Sequence, residues 1–379
     1  MFWKENWPLA QEHLIAWWRH EGPAFSITAP KDEPWEAIPP PPVSPIFSQP
    51  GFDKFPEILQ GFPESESPPD LAFQWTDPAY RFNASAYWLS RMYFGGEAFP
   101  YFDSHMGPGN LAAFLGSHVG FGNETVWFEQ SMESLDTHPP LAFEPGNKWW
   151  QVQIALVDYA LTHAEGRFLV GMPDFSITLD VLASLAGTTE LLMAMALQPD
   201  AVLQRSQEIV DAYMIAFNTF YDRIKDPRNG NCYSCFNIWG PGKTTLLQCD
   251  LSAMFGPDMF NDLVVPGLTG MAGQFDYVLY HLDGSQALCH LDTLLNIPGI
   301  NAIEWTPEPG RPWGGSPEWY DLYHKILDAG KSVQAIFVKP EEAEPLIEAL
   351  GPEGIFLDIR CNSETEARQL EVRLQKWYG

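Results

Sequence analysis

The residues best equipped for chemistry crowd into one short run. The stretch YHLDGSQALCHLDTLLNIPGINAIEWTP, from Tyr280 to Pro307, holds two histidines, two aspartates, a cysteine and a glutamate. Imidazole, carboxylate and thiolate are the side chains that ligate transition metals. Imidazole and carboxylate are also the groups that move protons near neutral pH. A plainer reading stays open beside these two, because an aspartate that ends a strand often caps the next helix. Further polar residues end other apolar runs: Asp103, His105, Asp174, Asp250 and Cys361. Any one of them alone has a structural explanation, and a shared position would change that.

The elements that must position them can be read from the apolar pattern. Eight short apolar, β-branched or aromatic runs recur: Ala24 to Pro30, Phe99 to Ser104, Arg167 to Asp174, Thr245 to Asp250, Phe275 to Gly284, Ile300 to Trp305, Ser332 to Val338 and Gly354 to Cys361. Such runs predict strands buried on both faces, as in a parallel sheet. Helical patterns lie between them, of which SPEWYDLYHKILDAG and KPEEAEPLIEALG are the clearest. Eight strand–helix units in one chain predict a single α/β domain, a (β/α)8 TIM barrel over residues 1–379. The alternative is a doubly wound open sheet, but no GxGxxG follows an early strand. In a barrel the site forms at the C-terminal ends of the strands. That geometry would gather His281, Asp283 and Asp250 as catalytic candidates at one mouth. Asp174 would meet substrate there, and Trp239, Trp305 and Trp313 would form flat walls.

Residues 31–98 fit this pattern poorly. The segment is rich in proline, and the whole chain has 34 prolines. Proline suits neither helix interiors nor central strands. The aromatic residues Trp35, Phe47, Phe52, Phe55, Phe62, Phe73 and Trp75 want burial, so an ordered flap between the first two strands is expected. The N-terminal run MFWKENWPLAQEHLIAWWRHEG reads as a docked amphipathic helix and not as a signal peptide. With 49 acidic against 21 basic residues the formal net charge is −28. That argues against nucleic-acid backbones and anionic membrane surfaces as partners. Five cysteines, an odd number in a long chain, fit a reducing compartment, so a cytoplasmic location is expected. CYSC (Cys232 to Cys235) lacks a second CxxC, and WGPGKTT lacks the first glycine of a phosphate loop.

From Arg167 onward the chain resembles the uroporphyrinogen decarboxylase superfamily. The pieces that carry the resemblance are GMPDFSITLDVLASLAGTTELL, QCDLSAMFGPDMFNDLVVPGL, YHLDGSQALCHLDTLL and IEWTPEPG with WYDLYHKILDAGKSV, in the same order. The resemblance implies a (β/α)8 barrel and one of two chemistries. The haem-pathway decarboxylase branch implies an early arginine-rich segment for substrate carboxylates, and the early region here offers only Arg19, Arg81 and Arg91. The methyltransferase branch implies a zinc ion and a corrinoid delivered by a partner protein, acting on a small molecule. Its ligand pattern maps onto His281, Asp283, Glu304 and Cys361, with Asp283 standing where that branch has a cysteine. A methyltransferase is therefore the favoured expectation. A decarboxylase or other lyase with acid–base carboxylates and no corrinoid is the alternative.

Overall fold

Among the described residues thirteen strands form, in the order β1 (Ala24–Pro30), β2 (Met92–Gly96), β3 (Tyr101–Phe102), β4 (His118–Phe121), β5 (Val126–Glu129), β6 (Leu169–Val170), β7 (Asn231–Cys232), β8 (Trp239–Gly240), β9 (Thr244–Gln248), β10 (Tyr277–Asp283), β11 (Ala302–Thr306), β12 (Ser332–Val338) and β13 (Ile355–Arg360). They come from a computed structural model that describes residues 1–41, 71–122 and 125–378. All eight apolar runs contain a strand. Their side chains are buried, as the lack of polar alternation requires.

The main sheet has seven strands in the order β2-β1-β13-β12-β11-β10-β9. Every pairing within it is parallel except β1 with β2. Helices occupy the connections, so the molecule is a mixed α/β fold on a largely parallel sheet. The two remaining runs pair with each other, β3 beside β6 in parallel. An isolated parallel bridge then joins Met172 to Tyr233. The ladder is open among the described residues, because β2 takes the β1 edge that a closed barrel would give to β3. The sequence pattern missed β2, since MYFGG lies inside the proline-rich excursion. It also missed the antiparallel hairpin of β4 and β5.

The helix Trp7–Trp18 closes the end of the sheet where the strands begin. Trp17 donates its indole N–H to the Val333 carbonyl, and Ser332 donates its hydroxyl to the Trp17 carbonyl. The Trp17 ring packs edge-on against Phe356. Both partners lie in the first half of their strands. This plug leaves the opposite face, where the strands end, for a site.

Of the excursion, residues 42–70 lie outside the described region, including Phe47, Phe52, Phe55 and Phe62. On either side of it, Trp35 is half-buried before, and Trp75 is buried and Phe73 exposed after. The helix Pro78–Leu89 starts on an Asp77 cap, whose carboxylate accepts the Tyr80 N–H. No single helix among the described residues is long and apolar enough to cross a membrane.

Candidate active site

Side-chain alternation along the strands decides which groups meet. His281 and Asp283 are two apart on β10, so they share a face. In register, His281 sits beside Gln248 on β9 and Glu304 on β11, and Glu304 sits beside Gln334 on β12. Four adjacent strands thus lay one polar row, Gln248–His281–Glu304–Gln334, across the interior. Glu304 and Gln334 are wholly buried. Asp283 pairs in register with Thr306 one layer nearer the mouth.

Glu304 accepts a very short hydrogen bond from Nδ1 of His281 and a second, of 2.8 Å, from the Thr306 hydroxyl. Burial alone would discharge the His281 imidazolium. The Glu304 carboxylate, with Asp250 and Asp283 beyond it, reverses that and holds the imidazole pKa at about 10 in the metal-free chain. Burial pushes the Glu304 carboxyl up, and the imidazolium pulls it part of the way back. With Nδ1 committed to Glu304, Nε2 of His281 points to Asp250, 4.0 Å away. Donor atoms of Asp250, His281 and Asp283 all lie within 4.8 Å of one another. One imidazole nitrogen and two carboxylates at that spacing form a competent donor set for a divalent cation.

Asp250 stands on the turn after β9, where a loop residue would ordinarily be mobile. Asp180 holds it. Its two carboxylate oxygens accept the backbone N–H groups of Asp250 and Leu251 at 3.0 and 2.9 Å. Burial and the neighbouring Asp250 raise the Asp180 carboxyl to about 7. Gln248 adds a hydrogen bond of 2.9 Å to the Asp250 side chain.

The group opens into a cavity of about 470 Å³, within the range of small-molecule sites. Asp103, Asp174, His281, Asp283, Asp358 and Arg360 reach it from the ends of different strands. Asp103 and His105 contact each other at 2.5 Å, and Arg81 donates to both of their carbonyls. Asp174 accepts bonds from the Ser176 N–H, the Tyr233 hydroxyl and the Cys235 thiol, and burial raises its carboxyl.

Two aromatic residues and an asparagine reach the cavity in an unusual way. Phe236, Asn237 and Phe337 line it with φ of 59°, 52° and 53°. Left-handed backbone at a bulky residue costs about 1 to 3 kcal/mol. For Phe337 the cause is a β-bulge. Between Ala335 and Val338 the β12 chain gains one residue over β13, which turns both Ile336 and Phe337 to the cavity. For Phe236 and Asn237, Gln334 binds the Phe236 carbonyl, and the Asn237 amide binds Asp358 at 3.2 Å.

Not every expected residue is here. Asp250, His281, Asp283, Glu304, Asp174 and Trp313 are at or directly behind the cavity. Cys361 is not, because it follows Arg360 by one and so takes the opposite face. It is fully buried toward the helix Glu364–Leu374, and burial and Glu366 push its thiol up to about 12. Trp305 follows Glu304 by one and is turned outward the same way, onto Trp319. Trp239 lies on β8, ahead of the inner strand β9, and belongs to the plugged end. It packs edge-on against Trp7, and its carbonyl accepts the Trp18 indole N–H. The pattern did not single out Asp180, Gln248, Gln334, Phe236, Phe337, Asp358 or Arg360. Alternation about His281 and Glu304 was the available signal for the two glutamines.

No known family model matches the chain, and no curated protein matches it by sequence. Among solved structures, a methyltransferase from Methanosarcina mazei is similar, with a TM-score of 0.57 at 11% identity. The similarity covers 97% of this chain and 98% of that one. At that identity the likeness is one of fold, and it extends from end to end.

Proposed function

We propose that the chain is a methyltransferase on a (β/α)8 frame of the uroporphyrinogen decarboxylase type. It would move a methyl group between a small molecule and a corrinoid carried by a partner protein. The observation that carries this reading is the convergence of Asp250, His281 and Asp283 at the strand ends, on a fold shared in full length with a methyltransferase. A divalent metal, zinc first, fits that donor set. When bound it would act as a Lewis acid toward a donor atom of the substrate. Glu304 then serves as the orienting carboxylate, fixing the tautomer of His281 so that Nε2 faces the cavity. Asp180 and Gln248 position Asp250. The oxygen-rich set replaces the sulfur-containing one expected from sequence, with Asp250, on the turn after β9, as a donor instead of Cys361 after β13.

The lyase alternative is less favoured by this geometry. A decarboxylase must bind a carboxylate, and Arg360, a guanidinium on the cavity wall, is already paired with Asp358 at 3.9 Å.

The test pairs metal analysis with corrinoid spectroscopy. Purified full-length protein should retain close to one divalent metal, and His281→Ala should lose it while keeping its circular dichroism spectrum. Methylcobalamin, offered with a thiol acceptor, should lose its methyl spectrum with wild type and not with His281→Ala. Stoichiometric metal in His281→Ala sinks the ligand assignment. An unchanged methylcobalamin spectrum with metal-replete wild type sinks the methyl-transfer reading.

A further inference from the structure

Methylation of a protic acceptor releases a proton, and His281 is not free to take it. Its Nδ1 is bonded to Glu304, and its Nε2 belongs to the donor set with Asp250 and Asp283. Most other ionisable groups of the wall are engaged too. Asp358 faces Arg360 at 3.9 Å, and Asp174 already accepts bonds from Ser176, Tyr233 and Cys235. Burial pushes the Tyr101 hydroxyl and the Cys235 thiol far up, so both keep their protons near neutral pH. The second imidazole lining the cavity is His105.

His105 lies on the loop that leaves β3, and that loop is gripped from two helices. The carbonyls of Asp103, Ser104 and His105 follow one another, and each accepts a side-chain donor. Arg81, from the helix Pro78–Leu89, binds the first and third at 3.1 Å each. Gln153, wholly buried in the helix Lys148–His163, binds the second at 2.7 Å. The Ser104 hydroxyl donates to the Gly171 carbonyl at 2.8 Å, which ties the loop to the end of β6. Asp103 then fixes the ring. Its Oδ1 lies 2.5 Å from Nδ1 of His105 and accepts the His105 backbone N–H at 3.2 Å. A carboxylate on Nδ1 sets the tautomer, makes Nε2 the basic nitrogen and stabilises the imidazolium that forms. Burial pushes the Asp103 carboxyl up, but His105 and Arg81 outweigh it and hold it below the ordinary carboxylate range. Beyond this loop and Arg81, Asp174 is the charged group that feels the imidazole. Burial raises its carboxyl, and His105 draws it part of the way back.

We propose that His105 is the general base of the methyl transfer, with Asp103 as its positioning residue. The acceptor is then a small molecule whose methyl-accepting atom carries a proton. As the acceptor's X–H bond breaks, the proton passes to Nε2 of His105. The freed pair on X forms the bond to the methyl carbon. The carbon–cobalt bond of the partner's methylcorrinoid breaks with its pair left on cobalt, which passes from Co(III) to Co(I). In the reverse direction the imidazolium returns the proton to the leaving atom. The inference rests on the methyl-transfer reading and adds to it the proton's destination.

The test follows methylcobalamin demethylation by full-length, metal-replete protein with two acceptors. 2-Mercaptoethanol still carries its thiol proton near neutral pH, and pentafluorothiophenol has already lost it. His105→Gln should keep its metal and slow the first acceptor by about a hundredfold or more, the usual reach of general base catalysis. Its effect on the second should be smaller by at least about tenfold, because no proton has to move. Asp103→Asn should split the two acceptors in the same sense, and it serves as the second probe if His105→Gln fails to fold. Equal slowing of both acceptors, or no slowing of either, overturns the proposal and leaves methyl transfer standing. Methylcobalamin left intact by wild type with both acceptors overturns the two together.

Discussion

At the scale of residues, the pair His281–Glu304 governs what the site can do. A metal-bound imidazole must be neutral, yet Glu304, Asp250 and Asp283 favour its charged form in the metal-free chain. Metal binding therefore expels a proton, and affinity should climb with pH. Glu304 works in two directions. It raises the imidazole pKa, and it locks the ring in the orientation that offers Nε2. Glu304→Gln keeps the shape and removes the charge. Metal affinity should fall by about 10- to 100-fold, the usual effect of losing an orienting carboxylate. The imidazole pKa of the metal-free variant, read by NMR, should drop from about 10 toward the ordinary histidine value of 6.5. Unchanged affinity with a lowered pKa would show that orientation is supplied by packing against Phe236, whose ring lies 4.9 Å from His281.

At the scale of elements, the edge formed by β1 and β2 is where small changes should be felt most. Gly96 ends β2 with φ of 52°, and a Cβ there would lie 2.1 Å from the Phe25 carbonyl oxygen. Gly96→Ala meets both a backbone conflict and a left-handed penalty, so a loss of about 3 kcal/mol in unfolding free energy is expected. Denaturant titration reads it, and a loss below about 1 kcal/mol would mean that the edge can shift. The same edge holds Lys4, whose buried ammonium donates to the Phe94 and Gly96 carbonyls at 2.9 and 2.6 Å. Burial lowers its pKa from 10.5 to about 8, against the pull of Glu97 and Glu371. The sign follows directly. Between about 8 and 10.5 the unfolded chain holds this proton and the folded chain has released it, so raising pH through that window stabilises the fold. The stability of wild type relative to Lys4→Met should grow by about 3 kcal/mol across it, and a flat difference would refute the shift. These elements also mark how far the sequence could be read. The eight inner runs were legible because burial on both faces leaves an unbroken apolar signature. The β2 edge was not, because its MYFGG sits in a proline-rich context and gains its place from pairing with β1. The strained turns at Phe236 and Phe337 carry no glycine to announce them. The parity of Cys361 and Trp305 was legible: each follows an inward residue by one and must face away from it.

At the scale of the whole molecule, a net charge of −28 on 379 residues sets a background against which any site must be judged. Self-repulsion destabilises the compact state, and salt screens it over about 10 Å at 0.1 M. Raising NaCl from about 20 to 200 mM should therefore raise the melting temperature by a few degrees. That shift should be the same in His281→Ala, because replacing a paired imidazole barely alters the global field. Zinc at about 0.1 mM contributes almost nothing to ionic strength, so it cannot act by screening. It can act by mass action on a folded-state site, adding several kcal/mol if the concentration exceeds Kd a thousandfold. Wild type should thus gain several degrees from zinc at constant NaCl, and His281→Ala should gain none. Equal zinc shifts in the two proteins would mean that the metal binds the diffuse acidic surface. Asp250, His281 and Asp283 would then be left as an acid–base cluster of the cavity.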